Sequence, residues 1–326
     1  MTKQKITVTQ GQLVTLTNNE VDKFLQHSLN IHNQYQFNQN IKKNLDHKSV
    51  VLHSDFSENY ATKYHTEIQS LHYDGSRSLL TLHTNAYYML SPKSNEIDLV
   101  KFCSISEDVR HTAPAVFAHL EPLLKRFQEL GVKKMFIFTD GPTAQYRNKT
   151  AFALIYLFAE KYGFETFVWN FWESGHGKGI IDGLGGTLKS KADKKVAQGF
   201  DVINVNTFID AVKDVRIEVS EIKSERIDEI QSMIPVNLHP AVGTFQIHQI
   251  IWKSAEKDIL YLRKRSGIHV NNFTPCILCN LKSPKFSPTE KKETKKPPKK
   301  NYNSDMETSN TKTQKKVHWV QIILKL

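Results

Sequence analysis

Four carboxylates stand where they could act together. Asp55 closes the β-branched run Ser49-Val-Val-Leu-His-Ser, and Asp140 directly follows the apolar run KKMFIFT. Glu173 lies just before the glycine-rich stretch GHGKGIIDGLGG, and Asp182 lies within it. Divalent cations such as magnesium or manganese need hard oxygen ligands that converge, and the ends of rigid strands aim such ligands well. Asp55 and Asp140 are expected to stand side by side and hold magnesium, with the third acid supplied by Asp182 or Glu173. Asp182 is favoured because it enters a helix. Two bound ions would serve phosphoryl transfer, one activating the attacking oxygen and the other stabilising the leaving oxygen. His176, Lys178, Arg147 and Lys189 are the residues expected to contact nucleic-acid phosphates. Each residue also has a plainer reading. Asp55 ends a strand, Asp140-Gly141-Pro142 suits a turn, Asp182 suits a helix N-cap, and the glycine-rich turn can carry its His and Lys incidentally.

The elements that must position these groups follow from periodicity. Ser49 to Phe56 reads as a strand. Glu67 to Tyr73 and then Ser78 to Leu90 follow, split by the turn residues Asp74, Gly75 and Ser76, and Ile97 to Ser104 completes an antiparallel meander. Ala113 to Leu130 has helical spacing and stops at Gly131, with Pro122 expected to kink or restart it. A strand at Lys133 to Thr139, a helix at Asn148 to Tyr162, a strand at Phe164 to Trp172 and a helix at Asp182 to Gln198 come next. With Glu67 to Leu90 counted as one split member of the meander, the order β, β, β, α, β, α, β, α implies a mixed sheet with helices on its faces. With acids at those strand ends, it is the arrangement a ribonuclease H-like domain requires.

Composition and charge bound the remainder. The 326 residues carry a net charge of +11, of which residues 282–316 supply +7 through 11 Lys against four acids. The folded body is therefore only mildly basic. Three cysteines, no secretory leader and no apolar run of about 18 residues lead to the expectation of a nuclear or cytoplasmic protein that is neither secreted nor membrane-spanning. Residues 1–47 read as an extended lead-in followed by a surface helix from about Glu20 to Leu45, capped by Asn19 and rich in Gln, Asn and His. Residues 48–199 form the α/β core. Residues 200–280 read as a small α+β extension with helical stretches and a strand pair, Gly243 to Trp252 and Ile259 to Lys264. Residues 281–326 are a Lys-rich, low-complexity tail of disordered composition.

Within the extension, Cys276 and Cys279 form half of a possible zinc site, with His248 or His269 as candidate partners. The lysine-rich tail reads as a solvated segment, a nuclear-targeting signal or a nucleic-acid contact. Nucleotide hydrolysis is excluded because Trp172 stands where a phosphate-binding loop needs Gly and Gly179 follows Lys178 where it needs Ser or Thr. The sequence also lacks the GxGxxG and GxSxG patterns of dinucleotide binding and serine hydrolysis.

Four blocks in fixed order, SDFSENY at Ser54 to Tyr60, EIQSLHY at Glu67 to Tyr73, TDGPTAQYRN at Thr139 to Asn148 and GHGKGIIDGLGG at Gly175 to Gly186, resemble a family of transposon-derived animal proteins. Related reading frames occur in viruses of parasitoid wasps. The resemblance spans about Glu20 to Cys279. It implies a transposase-like core of the ribonuclease H type, with three acids binding magnesium and DNA as the partner. Similar proteins carry more sequence ahead of the first block, which implies a truncated or transposon-derived copy. The alternative is a nucleic-acid or chromatin binder that keeps the fold without the chemistry.

Overall fold

The computed structural model describes residues 7–66, 77–91, 93–177, 179–236, 238, 243–257 and 259–266. The expected strand at Glu67 to Tyr73, Lys178, the Cys276/Cys279 pair, His269 and the lysine-rich tail all lie outside the described residues. The chain divides into two units, one formed by residues 1–26 and 287–326 and the other by residues 27–286.

In the first unit the described residues begin helix α1 (Gln10–Lys43). This start corrects the expected extended lead-in and the expected cap at Asn19. Thr9 is the cap: its Oγ1 accepts the Gln12 N–H at 3.3 Å, and the Gln12 side chain accepts the Thr9 N–H at 2.9 Å. This reciprocal pair satisfies two otherwise orphaned amides, so the helix starts ten residues earlier than the apolar spacing suggests.

Among the described residues the second unit is built on one eight-stranded sheet, in the order β6-β3-β2-β1-β4-β5-β7-β8. Strands β1 (Ser49–Ala61), β2 (Leu79–Leu90) and β3 (Ile97–Ser106) form an antiparallel meander, while β4 (Lys134–Thr139) and β5 (Thr166–Phe171) run parallel to β1. Between the strands lie α2 (Ala113–Glu129) and α3 (Lys149–Lys161), and α4 (Ile180–Ala197) follows β5. Helix α2 runs through Pro122 as one element, so the expected restart does not occur. The segment after Gly199, expected as an extension, instead joins the same sheet. Helices α5 (Val205–Val212) and α6 (Ser224–Ser232) flank β6 (Glu218–Glu221), which pairs parallel to β3. Strands β7 (Gln249–Lys253) and β8 (Leu260–Arg263) continue the sheet beyond β5 as an antiparallel pair.

Both faces of the central strands are covered, which is why they read as continuous apolar runs. Val50 and Leu52 of β1 and Met135 and Ile137 of β4 face a core completed by α2 and α3, including Phe117, Leu120, Phe127 and Phe158. The alternate residues Val51, Phe136 and Phe138 face the other side, against Phe37 and Ile41 of α1. On that same side α4 and α5 cover the meander through Leu184, Leu188 and Phe208. Each such side chain, fully buried, contributes about 1.5–3 kcal/mol.

Helix α1 corrects a second expectation. Its amides do not face solvent: Asn30, Asn33, Gln34 and Asn38 are buried, while the apolar Val21, Phe24, Leu25 and Leu29 are exposed. Three of these amides have specific partners: Asn30 Nδ2 donates to Glu173 at 3.2 Å, Gln34 Nε2 to the Phe171 carbonyl at 2.8 Å, and Asn38 pairs with His53 at 2.9 Å. A satisfied buried amide is tolerated where an unsatisfied one would not be, so composition alone misjudged the face.

Candidate functional site

The parallel register of β1 and β4 ends on the pair Ser54 and Thr139. One residue further along come Asp55 and Asp140. Asp140 leaves the end of β4. Strand β1 instead runs on to Ala61 in its pairing with β2, so Asp55, expected at a strand end, lies within β1 at the point where its pairing with β4 stops. Trp172 N–H donates to the Thr139 carbonyl at 2.9 Å, which keeps β5 in step and starts the connection to α4 at Glu173. That connection returns over Asp140: an added Cβ on Gly177 would lie 1.9 Å from Asp140 Oδ1.

Asp182 sits in the first turn of α4, where its Oδ2 accepts the Gly179 N–H at 2.6 Å. It thus reaches back to cap the helix from inside, rather than serving as the N-cap itself. The glycines of GHGKGIIDGLGG let α4 come close to the sheet. At Gly185 an added Cβ would lie 2.2 Å from Ser57 Oγ and 2.6 Å from Ser57 Cβ, so the helix lies directly against β1.

The three acids share a field. Burial pushes the Asp55 carboxyl up to about 7, with Asp140 and then Asp182 adding repulsion. Asp140 is also raised, by burial of its carboxylate and by Asp182, with Arg147 opposing. Neither the Asp55 nor the Asp140 carboxylate has a hydrogen-bond donor among the described residues. Like charges gathered without partners are costly in a fold and are found where a cation or a proton is handled. Among the described residues no three acidic, histidine or cysteine side chains stand preassembled to hold a metal ion. Magnesium needs no such cage, because it keeps several waters and takes one or two carboxylates together with substrate phosphates. The oxygen donors of Asp55, Asp140 and Asp182 fit it in type and in charge.

Glu173, the rival third acid, is engaged elsewhere. Its Oε1 meets His27 Nδ1 at 3.0 Å, and its Oε2 meets His248 Nε2 at 2.7 Å and Asn30 Nδ2 at 3.2 Å. Burial works against ionisation, but the hydrogen bonds from His248, His27 and Asn30 take this carboxyl down to about 2. Arg147 is buried rather than offered to solvent. Its guanidinium lies across Gly141, where an added Cβ would come within 1.8 Å of Nη2, and it donates to the Phe245 carbonyl at 2.9 Å. Lys189 is half-buried and donates to the Glu58 carbonyl at 3.1 Å. His176 is half-buried, its ring edge-on to His27 with centroids 5.1 Å apart. His248, a candidate zinc partner in the sequence, is instead held between Glu173 and the Lys264 carbonyl, the latter at 2.9 Å.

The profile of a domain of unknown function, DUF8701, matches residues 34–264. The chain belongs to this family. No curated protein and no solved structure matches it. The DUF8701 match takes in Asp55, Asp140, Glu173, Asp182 and His248, and begins after His27 and Asn30. Those two residues, with Gln34 and Tyr35, are parts of the site that sequence reasoning missed. They sit in a helix without a motif, and only the fold brings them to Glu173. Tyr146, a fully buried phenol whose hydroxyl has no partner among the described residues, was also missed, although it lies within the TDGPTAQYRN block, because sequence does not show that its hydroxyl is buried.

Proposed function

We propose that this chain is a ribonuclease H-like, transposase- or integrase-like domain that processes DNA by metal-dependent phosphoryl transfer. One observation carries the reading: a meander in the spatial order β3-β2-β1, followed by β4 and β5 parallel to β1, with Asp55 and Asp140 each one residue past the last pair of the β1–β4 ladder. Asp182 is the third acid in this reading, because it, and not Glu173, adds to the field on both. The resemblance of the SDFSENY, TDGPTAQYRN and GHGKGIIDGLGG blocks to transposon-derived proteins supports the same substrate class.

In this function Asp55, Asp140 and Asp182 would hold magnesium or manganese. Such an ion supplies Lewis-acid polarisation of a phosphodiester and makes water or a 3′-hydroxyl nucleophilic near neutral pH. The chain's own part is to gather and aim three carboxylates, although its burial of Asp55 and Asp140 works against their ionisation. Asp55 needs the cation most, since burial and its two neighbours hold its proton up to about pH 7. Arg147 limits the repulsion at Asp140. The remaining requirement is a route for the DNA backbone. Lys189, Lys191, Lys194 and Lys195 of α4 and the lysines of residues 282–316 are the cations that would supply it.

No helix among the described residues is long and apolar enough to cross a membrane. A nuclear or cytoplasmic location accords with DNA as the partner, and zinc at Cys276 and Cys279 remains a separate proposal for residues outside those described.

The test is nicking of supercoiled plasmid by the full chain with magnesium or manganese. Cleavage by the wild type, lost in Asp140→Asn, is the expected result. Removing one metal ligand should slow the step by a few kcal/mol, each 1.36 being about tenfold. Plasmid binding by both proteins without nicking by either would favour the non-enzymatic binder instead.

A further inference from the structure

We infer that Glu173 is a positioning residue, a latch that holds the connection between the second and third acids. This rests on the reading of Asp55, Asp140 and Asp182 as metal ligands, and it assigns Glu173 a different task from theirs.

Two parts of the chain, distant from it and from each other in sequence, meet on this one side chain. Helix α1 contributes His27 and Asn30, and the entry to β7 contributes His248, with hydrogen bonds of 3.0, 3.2 and 2.7 Å. The backbone is held as well: the Glu173 N–H donates to Gln34 Oε1 at 2.9 Å, and its carbonyl accepts the His176 N–H at 3.0 Å. Tyr35 extends the grip by donating to the His176 carbonyl at 3.1 Å. With donors on both oxygens, the carboxylate cannot turn to a cation without abandoning these partners.

What the latch holds is the segment between two acids. Residues 173–177 leave β5 and bring Gly177 against the Asp140 carboxylate, and beyond them the Gly179 N–H donates to Asp182. A shift at Glu173 therefore moves the surface that sets the direction of Asp140 and the cap that sets Asp182. Groups that orient metal ligands in this indirect way typically matter about 10–100-fold in affinity.

The experiment compares Glu173→Gln with Glu173→Ala in the full chain, by manganese affinity and by hydrogen exchange of the amides of residues 174–177 and 179. Gln keeps an oxygen for His248 and offers an N–H to His27. Glu173→Gln is therefore expected to bind manganese close to wild type with unchanged exchange. Glu173→Ala is expected to lose about tenfold or more in affinity and to exchange faster in that segment even without metal. Loss of manganese binding in Glu173→Gln as complete as in Asp140→Asn would make Glu173 a ligand and overturn the inference. Wild-type affinity and exchange in Glu173→Ala would also overturn it. A wild-type chain that binds no manganese would sink the metal reading, while the exchange comparison would still decide whether the latch exists.

Discussion

Asp140 Oδ1 occupies the space in which a Cβ on Gly177 would have to sit, 1.9 Å away. The obstructing atom is the free end of a side chain, so Gly177→Ala can be accommodated by turning the carboxylate aside. The expected outcome is a small loss of stability, under about 1 kcal/mol on the scale of ordinary surface changes, with a clear loss of manganese affinity. Thermal melting and metal titration on the same variant check both halves. A large fall in melting temperature without metal would show that the backbone, and not the carboxylate, had to yield.

The raised Asp55 carboxyl makes the metal-free protein sensitive to pH. Its folded value of about 7 lies above the unfolded value of about 3.9, so the native state holds the extra proton between them. Stability from this group is greatest below about pH 4, falls as pH rises towards 7, and levels off beyond. Asp55→Asn removes the charge, so it should melt higher than wild type at pH 8 in chelator and no higher at pH 4. Magnesium should narrow the gap at pH 8 by stabilising the wild type alone. Equal melting of the two proteins at pH 8 would contradict the like-charge arrangement.

Gly185 and Gly186 are neighbours in sequence with opposite requirements. A Cβ at Gly185 meets Ser57 at 2.2 and 2.6 Å, whereas one at Gly186 meets nothing within 4 Å. Gly185→Ala should cost about 1–3 kcal/mol as overpacking and displace Asp182 with the helix. Gly186→Ala should be neutral or stabilising by up to about 1 kcal/mol through helix propensity. Chemical denaturation of both variants measures the contrast, and similar values would show that α4 does not lie close to β1.

Away from the acids, Glu121 organises the opposite face. Only 3% exposed, it accepts from Arg226 Nε at 2.5 Å and Nη2 at 2.7 Å, from Lys161 at 2.9 Å, and from the Tyr162 hydroxyl. Burial raises its carboxyl, but these donors outweigh burial and bring it down to about 2. The stabilisation is therefore present above about pH 4.5 and is lost as pH falls towards 2. Glu121→Ala should destabilise by about 3–5 kcal/mol, as expected when one member of a buried charge cluster is removed. A change below 1 kcal/mol would show the cluster to be dispensable.

Much of the central architecture was legible because the local signals agreed with the fold. The runs around Val51 and Phe136 are apolar on both faces, glycine stops such as Gly131 and Gly163 have positive φ, and Asp140 follows β4 directly, although β1 runs six residues past Asp55 where the sequence suggested an end. Helix α1 was misread because burial there is decided by individual partners of Asn30, Gln34 and Asn38, which composition does not encode. The Glu173 contacts were invisible for a related reason: His27 and Asn30 of α1 lie far in sequence from Glu173 and from His248, and none of the three partners belongs to a motif. Strands β6 and β7 were placed in an extension because four or five residues carry too little periodicity to reveal which sheet they join.

The sheet's two outermost strands, β6 and β8, are four residues each. Strand β6 carries Glu218 and Glu221, and Glu218 is tied back to Arg126. The part of β3 that β6 leaves uncovered begins with Ile97, Asp98 and Leu99 and includes Lys101. Charge and brevity at these margins oppose the pairing of one molecule's strand with another's. A sheet this wide can therefore stay unassociated at high concentration, provided its rim keeps its charges.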